Sequence, residues 1–134
     1  MGNIVRVLLS FNEQDVAIAE AFRANLFVWA PDIEFFFSPI LFDGYQGLEV
    51  KDADAFLLLV GPRGFGESQL REHRLATLRS ENDPQFVVIR VAAGAGVRGT
   101  LLNSGVNWIE VPIVTDPARV QQVIDTLQRG LMRV

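Results

Sequence analysis

The chain has no cysteine, which excludes disulfides, thiolate metal sites and a cysteine nucleophile, and leaves the fold to stand on packing alone. Its one histidine is His73, so a zinc hydrolase lacks a ligand set and a Ser-His-acid triad has one candidate base, with no G-x-S-x-G elbow to present a serine to it. Lysine is as scarce: eleven of the twelve basic residues are arginine and Lys51 stands among acids, a poor setting for Schiff-base or phosphate-binding chemistry. Sixteen acidic residues against twelve basic ones give a net charge of −4, the wrong sign for gripping phosphate backbones, so no direct nucleic-acid partner is expected. Long apolar runs are missing too. The stretch from Asn3 to Leu9 is too short for a signal peptide, and Arg6 occupies the position where an N-myristoylation signal wants serine or threonine. No membrane partner and no metal are expected, and the cytoplasm is the default compartment.

What is present is a globular balance: 134 residues, 49% hydrophobic and 21% charged, the size of one domain spanning 1–134. Val5 to Leu9, Ile33 to Phe37, Ala55 to Val60 and Phe86 to Val91 are short apolar runs without polar alternation, the mark of strands buried on both faces. A weaker fifth strand is read at Asn107 to Val111. After the first strand, Asn12 can cap a helix, Phe11 and Val16 are spaced as a hydrophobic staple, and Ile18, Phe22 and Leu26 recur at helical spacing up to Pro31. Ser68 can cap a helix that turns Glu72, Leu75 and Ala76 to one face, with Arg71 and Arg74 pointing away. Asp116, Pro117, the stripe Val120, Val123, Ile124, Leu127, Leu131, and Gly130 outline the last helix and its end. From Ser38 to Asp54, Gly44, Gly47 and the lack of helical repeats leave room for a loop and at most a short helix. Ala92 to Asn103 reads as irregular. Buried strands alternating with helices imply a flavodoxin-like three-layer α/β sandwich on a five-stranded parallel sheet, with the second helix short or absent.

Ligands of such sheets sit beyond the carboxyl ends of the strands. Gly61 to Ser68 has the place and glycine spacing of a phosphate-binding loop but carries Glu67 where the lysine belongs, so a tight turn that only starts the helix is the favoured reading. A response-regulator receiver is disfavoured by Ser10 and Gly61 at positions where it needs acids. Glu72, about one turn into the following helix on the face toward the sheet, is expected at the rim of the crevice. Two readings of it stand: a catalytic carboxylate, or one that merely complements the helix dipole.

The runs Val7-Leu8-Leu9-Ser10-Phe11, Ala53-Asp54-Ala55 through Val60-Gly61-Pro62, and Gly64 to Glu72 with Gln69 three places before Glu72, resemble bacterial TIR domains. Val88-Ile89-Arg90-Val91 with Gly94-Ala95, Leu101-Leu102 and Trp108-Ile109 continue the likeness in order, so that it covers most of the chain. The resemblance implies a five-stranded parallel sheet and, in many bacterial members, cleavage of NAD at its nicotinamide glycosidic bond by the helix glutamate, here Glu72. It implies NAD as substrate rather than cofactor, with no other cofactor, and self-association with other TIR domains in defence or cell-death signalling. Ser10 and Phe11 would line the opposite wall, Phe11 either as a face for a flat base or only as the staple. Asp43 and Tyr45 stand in the loop that would close over substrate or meet a neighbouring molecule. Ser68, counted with the substrate-lining residues, replaces the tryptophan usual in those relatives, and the span between the second and third strands is shorter than the family expects. A non-catalytic TIR interaction module and a nucleoside deoxyribosyltransferase-like enzyme are the alternatives.

Overall fold

The computed structural model describes residues 5–37, 50–94 and 108–132. Five parallel strands, β1 (Val5–Ser10), β2 (Ile33–Phe37), β3 (Ala55–Val60), β4 (Val87–Ala93) and β5 (Ile109–Val111), form one sheet in the order β2-β1-β3-β4-β5. This is the flavodoxin-like doubly wound order, and the strand order reverses between β1 and β3. Helices α1 (Val16–Trp29) and α3 (Pro117–Leu131) cover one face, and α2 (Glu67–Asn82) covers the other. Among the described residues the connection from β2 to β3 holds one 3-10 turn, Val50–Asp52. Among them no helix is long and apolar enough to cross a membrane.

Local chemistry sets these elements. The Asn12 side chain accepts from the Gln14 amide at 3.0 Å and starts a 3-10 turn, Glu13–Asp15, that runs into α1. Asp116 accepts from Ala118 N at 3.1 Å and caps α3. Central β3 is buried at all six positions, as a strand covered on both faces must be. Alternate residues divide the core in two. Val7, Leu9, Leu57, Leu59 and Val91 meet Phe22, Leu26, Val120, Val123, Ile124 and Leu127 of α1 and α3. Leu8, Phe56, Leu58, Val60 and Ala92 meet Ala76 of α2, with Phe86 beside them.

Several expectations are corrected. The cap of α2 is Gly66, not Ser68, which lies inside the helix; the Gly66 amide donates to Gln69 Oε1 at 3.0 Å, so the glutamine closes the first turn in place of a serine hydroxyl. Leu75 stands half exposed rather than facing inward, because the buried arc of α2 runs through Gln69, Glu72 and Ala76 and Leu75 falls past its edge. Strand β4 begins one residue later and extends through Ala92 and Ala93, which pair with β5 instead of opening a loop. Gly130 falls near the end of α3 as expected, with Met132 as the cap. It is small because α3 crosses β4 there: a Cβ would lie 2.9 Å from both methyl carbons of Val87.

Candidate functional site

Five polar residues are buried among the described residues: Ser10, Asn12, Asp15, Gln69 and Glu72. All gather where β1 and β3 end, at the point where the strand order reverses and where such folds take ligands. Burial of so many polar groups in one place is tolerated only when each is hydrogen-bonded, and here the bonds trace the site.

Ser10 is the last residue of β1, and its Oγ donates to Glu72 Oε1 at 2.8 Å. Gln69, one turn before Glu72, uses its Nε2 to donate to Ser10 O at 3.2 Å and Leu59 O at 2.6 Å. It thereby ties together the carboxyl ends of the two strands that flank the reversal and fixes the helix turn from which Glu72 projects. Glu72 is 6% exposed, so the carboxylate is packed into the end of the sheet rather than hanging at an open rim. This corrects the expected position and has a simple cause. The first turn of α2 lies directly on the ends of β1 and β3, and Ser10 draws the carboxylate inward.

The loop between β3 and α2 closes over the other side. Asn12 Nδ2 donates to Arg63 O and Gly64 O, both at 3.3 Å, and Asp15 Oδ2 accepts from Arg63 N at 3.3 Å. Gly64 N turns back to Gly61 O at 3.0 Å, with Gly64 at φ 75°, a conformation that favours glycine. Gly61 is needed for space, since a Cβ there would lie 2.8 Å from Asp15 Oδ2. The amides of Arg63, Gly64 and Gly66 are thus spent on protein acceptors, one of them a carboxylate, so this loop does not cradle phosphate as its glycine spacing alone would suggest. Burial raises Asp15 above its ordinary 3.8, with the backbone bond and charge of Arg63 opposing.

Phe11 does not join this group. It is 2% exposed and meets Phe37 edge-on, ring centroids 4.7 Å apart, within the core under α1 and α3. That is the packing alternative and not a wall beside Glu72. Asp43 and Tyr45 lie outside the described residues, as does the side chain of Ser68.

A second polar pair, Arg90 and His73, lies beside the first. Ser10 is in register with Leu58 of β3, and Leu58 with Arg90 of β4, so Ser10 and Arg90 lie on the α2 face of one row of the sheet, either side of a leucine. Consecutive residues of α2 reach them: Glu72 meets Ser10, and His73 Nε2 accepts from Arg90 Nε at 3.0 Å. The imidazole lies near-parallel to Phe56 and Phe65, centroids 6.5 and 6.3 Å away, and Trp108 meets Phe65 edge-on at 6.4 Å. Burial, and then the charge of Arg90, lower the His73 pKa below 6.5. The signal in the sequence was a lone charge, Arg90, inside the apolar run of β4.

No protein-family model matches the sequence, and no curated protein matches it. Among solved structures it is similar to a two-component transcriptional regulator AraC from Clostridium phytofermentans ISDg, with TM-score 0.48 and 12% identity, over 96% of this chain and 99% of that one. It is also similar to rubredoxin oxygen:oxidoreductase from the anaerobe Desulfovibrio gigas, with TM-score 0.48 and 13% identity, over 94% of this chain and 36% of that one.

Proposed function

We propose that the protein is a TIR-type NAD glycohydrolase, cytoplasmic, whose reacting carboxylate is Glu72 and which acts when copies associate. The observation that carries this reading is the Ser10–Glu72 hydrogen bond of 2.8 Å at the point where the strand order reverses. Nicotinamide in NAD is already a cationic leaving group, so cleavage needs no strong acid. The bond from ribose C1′ to the nicotinamide nitrogen breaks, its electron pair leaves with nicotinamide, and water adds to C1′ with loss of a proton. What the protein must supply is a fixed carboxylate that holds the ribose and stabilises positive charge developing at C1′. Ser10 and Gln69 hold Glu72 from the strand ends, which is the preorganisation such a role requires. Self-association draws support from Leu70, Leu75 and Leu78, each about half exposed on the outer side of the helix that carries Glu72.

The packing of Glu72 favours one rival, an interaction module that carries the same network only as scaffolding. The deciding experiment supplies NAD to purified protein, dilute and clustered on a surface, and measures free nicotinamide. Release that rises on clustering supports the proposal. Silence under both conditions hands the protein to the interaction-module reading. Consumption of free nucleosides but not NAD supports a deoxyribosyltransferase-like enzyme.

A further inference from the structure

Arg90 is a half-buried arginine in a strand otherwise made of valine, isoleucine and alanine. Among the described residues its side chain makes one hydrogen bond, from Nε to His73, and no ion pair. The acceptor is a histidine held on the neutral side by burial and by the arginine itself. A desolvated cation ordinarily has an acid beside it, because removing it from water costs several kcal/mol unless something returns the interaction. Burial lowers the guanidinium's own affinity for its proton below its ordinary value, as expected where no carboxylate offsets the loss of water. The terminal nitrogens of the fork are not sealed in: no buried side-chain nitrogen or oxygen among the described residues lacks a partner. These nitrogens are therefore available to an anion, and the edge that the two of them form matches phosphate oxygens bidentately.

The surroundings fit a nucleotide. His73 accepts from Arg90 Nε, and from the imidazole a chain of ring contacts runs through Phe65 to Trp108, all three rings partly exposed. Ser10 lies along the same row of the sheet, two strands away or about 9.6 Å between backbones at the usual strand spacing, and it bonds Glu72 of α2. The groups facing His73 are Arg90 from β4, Phe56 from β3, Phe65 from the β3–α2 loop, and its neighbour Glu72, which is turned toward Ser10.

We infer that Arg90, backed by His73, is an anion subsite that takes a phosphate of a nucleotide whose ribose reaches Glu72. The nucleotide part of this inference rests on the glycohydrolase reading; the anion site does not. Because His73 accepts from Nε, the two terminal nitrogens of Arg90 are left for the ligand.

The sole histidine makes the test direct. The imidazole resonances of His73 are followed by NMR while inorganic pyrophosphate, and separately ADP-ribose, is added, with sodium chloride at matched ionic strength as control. The inference expects a saturable shift with both ligands and none with chloride, an affinity at least tenfold weaker in Arg90→Gln, and retention of pyrophosphate binding in Arg90→Lys, which keeps charge and stem. No saturable shift, or equal affinity in Arg90→Gln, overturns the subsite whatever the protein does to NAD. A shift with pyrophosphate alone overturns its assignment to a nucleotide. If NAD is cleaved, Arg90→Gln raises KM for NAD more than for nicotinamide riboside, which has no phosphate; an equal rise for both contradicts the inference. If NAD is untouched while ADP-ribose still binds through Arg90, the glycohydrolase reading fails and the subsite stands.

Discussion

Glu72 and Ser10 share one buried hydrogen bond, so two substitutions of the same residue should part company. Glu72→Ala leaves the Ser10 hydroxyl in the core without that acceptor and should cost about 1–3 kcal/mol in a urea melt, the usual penalty for stranding a buried polar group. Glu72→Gln keeps an oxygen in place and should melt within about 1 kcal/mol of wild type. Gln69 is a positioning residue of greater structural weight, since its amide ties β1, β3 and the start of α2 together through three bonds. The carboxylate was legible in the sequence from its place one turn into a helix after β3. Its burial was not, because helical spacing says which face a residue takes and nothing about how closely that face approaches the strand ends. Asp15 and Arg90 escaped for a related reason: their partners lie 48 and 17 positions away in the chain.

Elements were read well where a period and a cap agreed. Strands β2 and β3 and helix α3 fall where the apolar runs and the Asp116-Pro117 start put them, and the parallel order follows from strands without polar alternation. Helix α2 differs in detail from its sequence pattern because it is polar on most sides, so its inward face is set by hydrogen bonds at Gln69 and Glu72 more than by a hydrophobic stripe. Gly130 illustrates a glycine whose cause is tertiary. Alanine there improves helix propensity by about 1 kcal/mol, yet its Cβ meets the branched side chain of Val87. Gly130→Ala should therefore give a net loss of about 1–2 kcal/mol in thermal or urea unfolding; a gain in stability would show that α3 can lift from β4 freely. On α2, Leu75→Ser with Leu78→Ser should leave melting nearly unchanged and weaken association by roughly tenfold, about 1.4 kcal/mol, in analytical ultracentrifugation.

Across the whole molecule, two groups make stability depend on pH with opposite signs. His73 holds its proton less tightly in the fold than its ordinary 6.5, so the unfolded chain takes up protons first and stability is lost as pH falls from 6.5 toward the lowered value. Asp15 is raised above 3.8, so its contribution is fully present below that value and is lost as pH rises through the raised one. Melting temperatures of His73→Asn measured from pH 7 to pH 5 should fall less steeply than those of wild type, and Asp15→Asn should gain stability at pH 7 relative to pH 4. The central claim is chemical. Nicotinamide release from NAD by clustered wild type and clustered Glu72→Gln, with matched melting curves, tests it most directly. The account predicts release by wild type and none above background by the variant. Equal release by both would show that bond cleavage does not pass through this carboxylate.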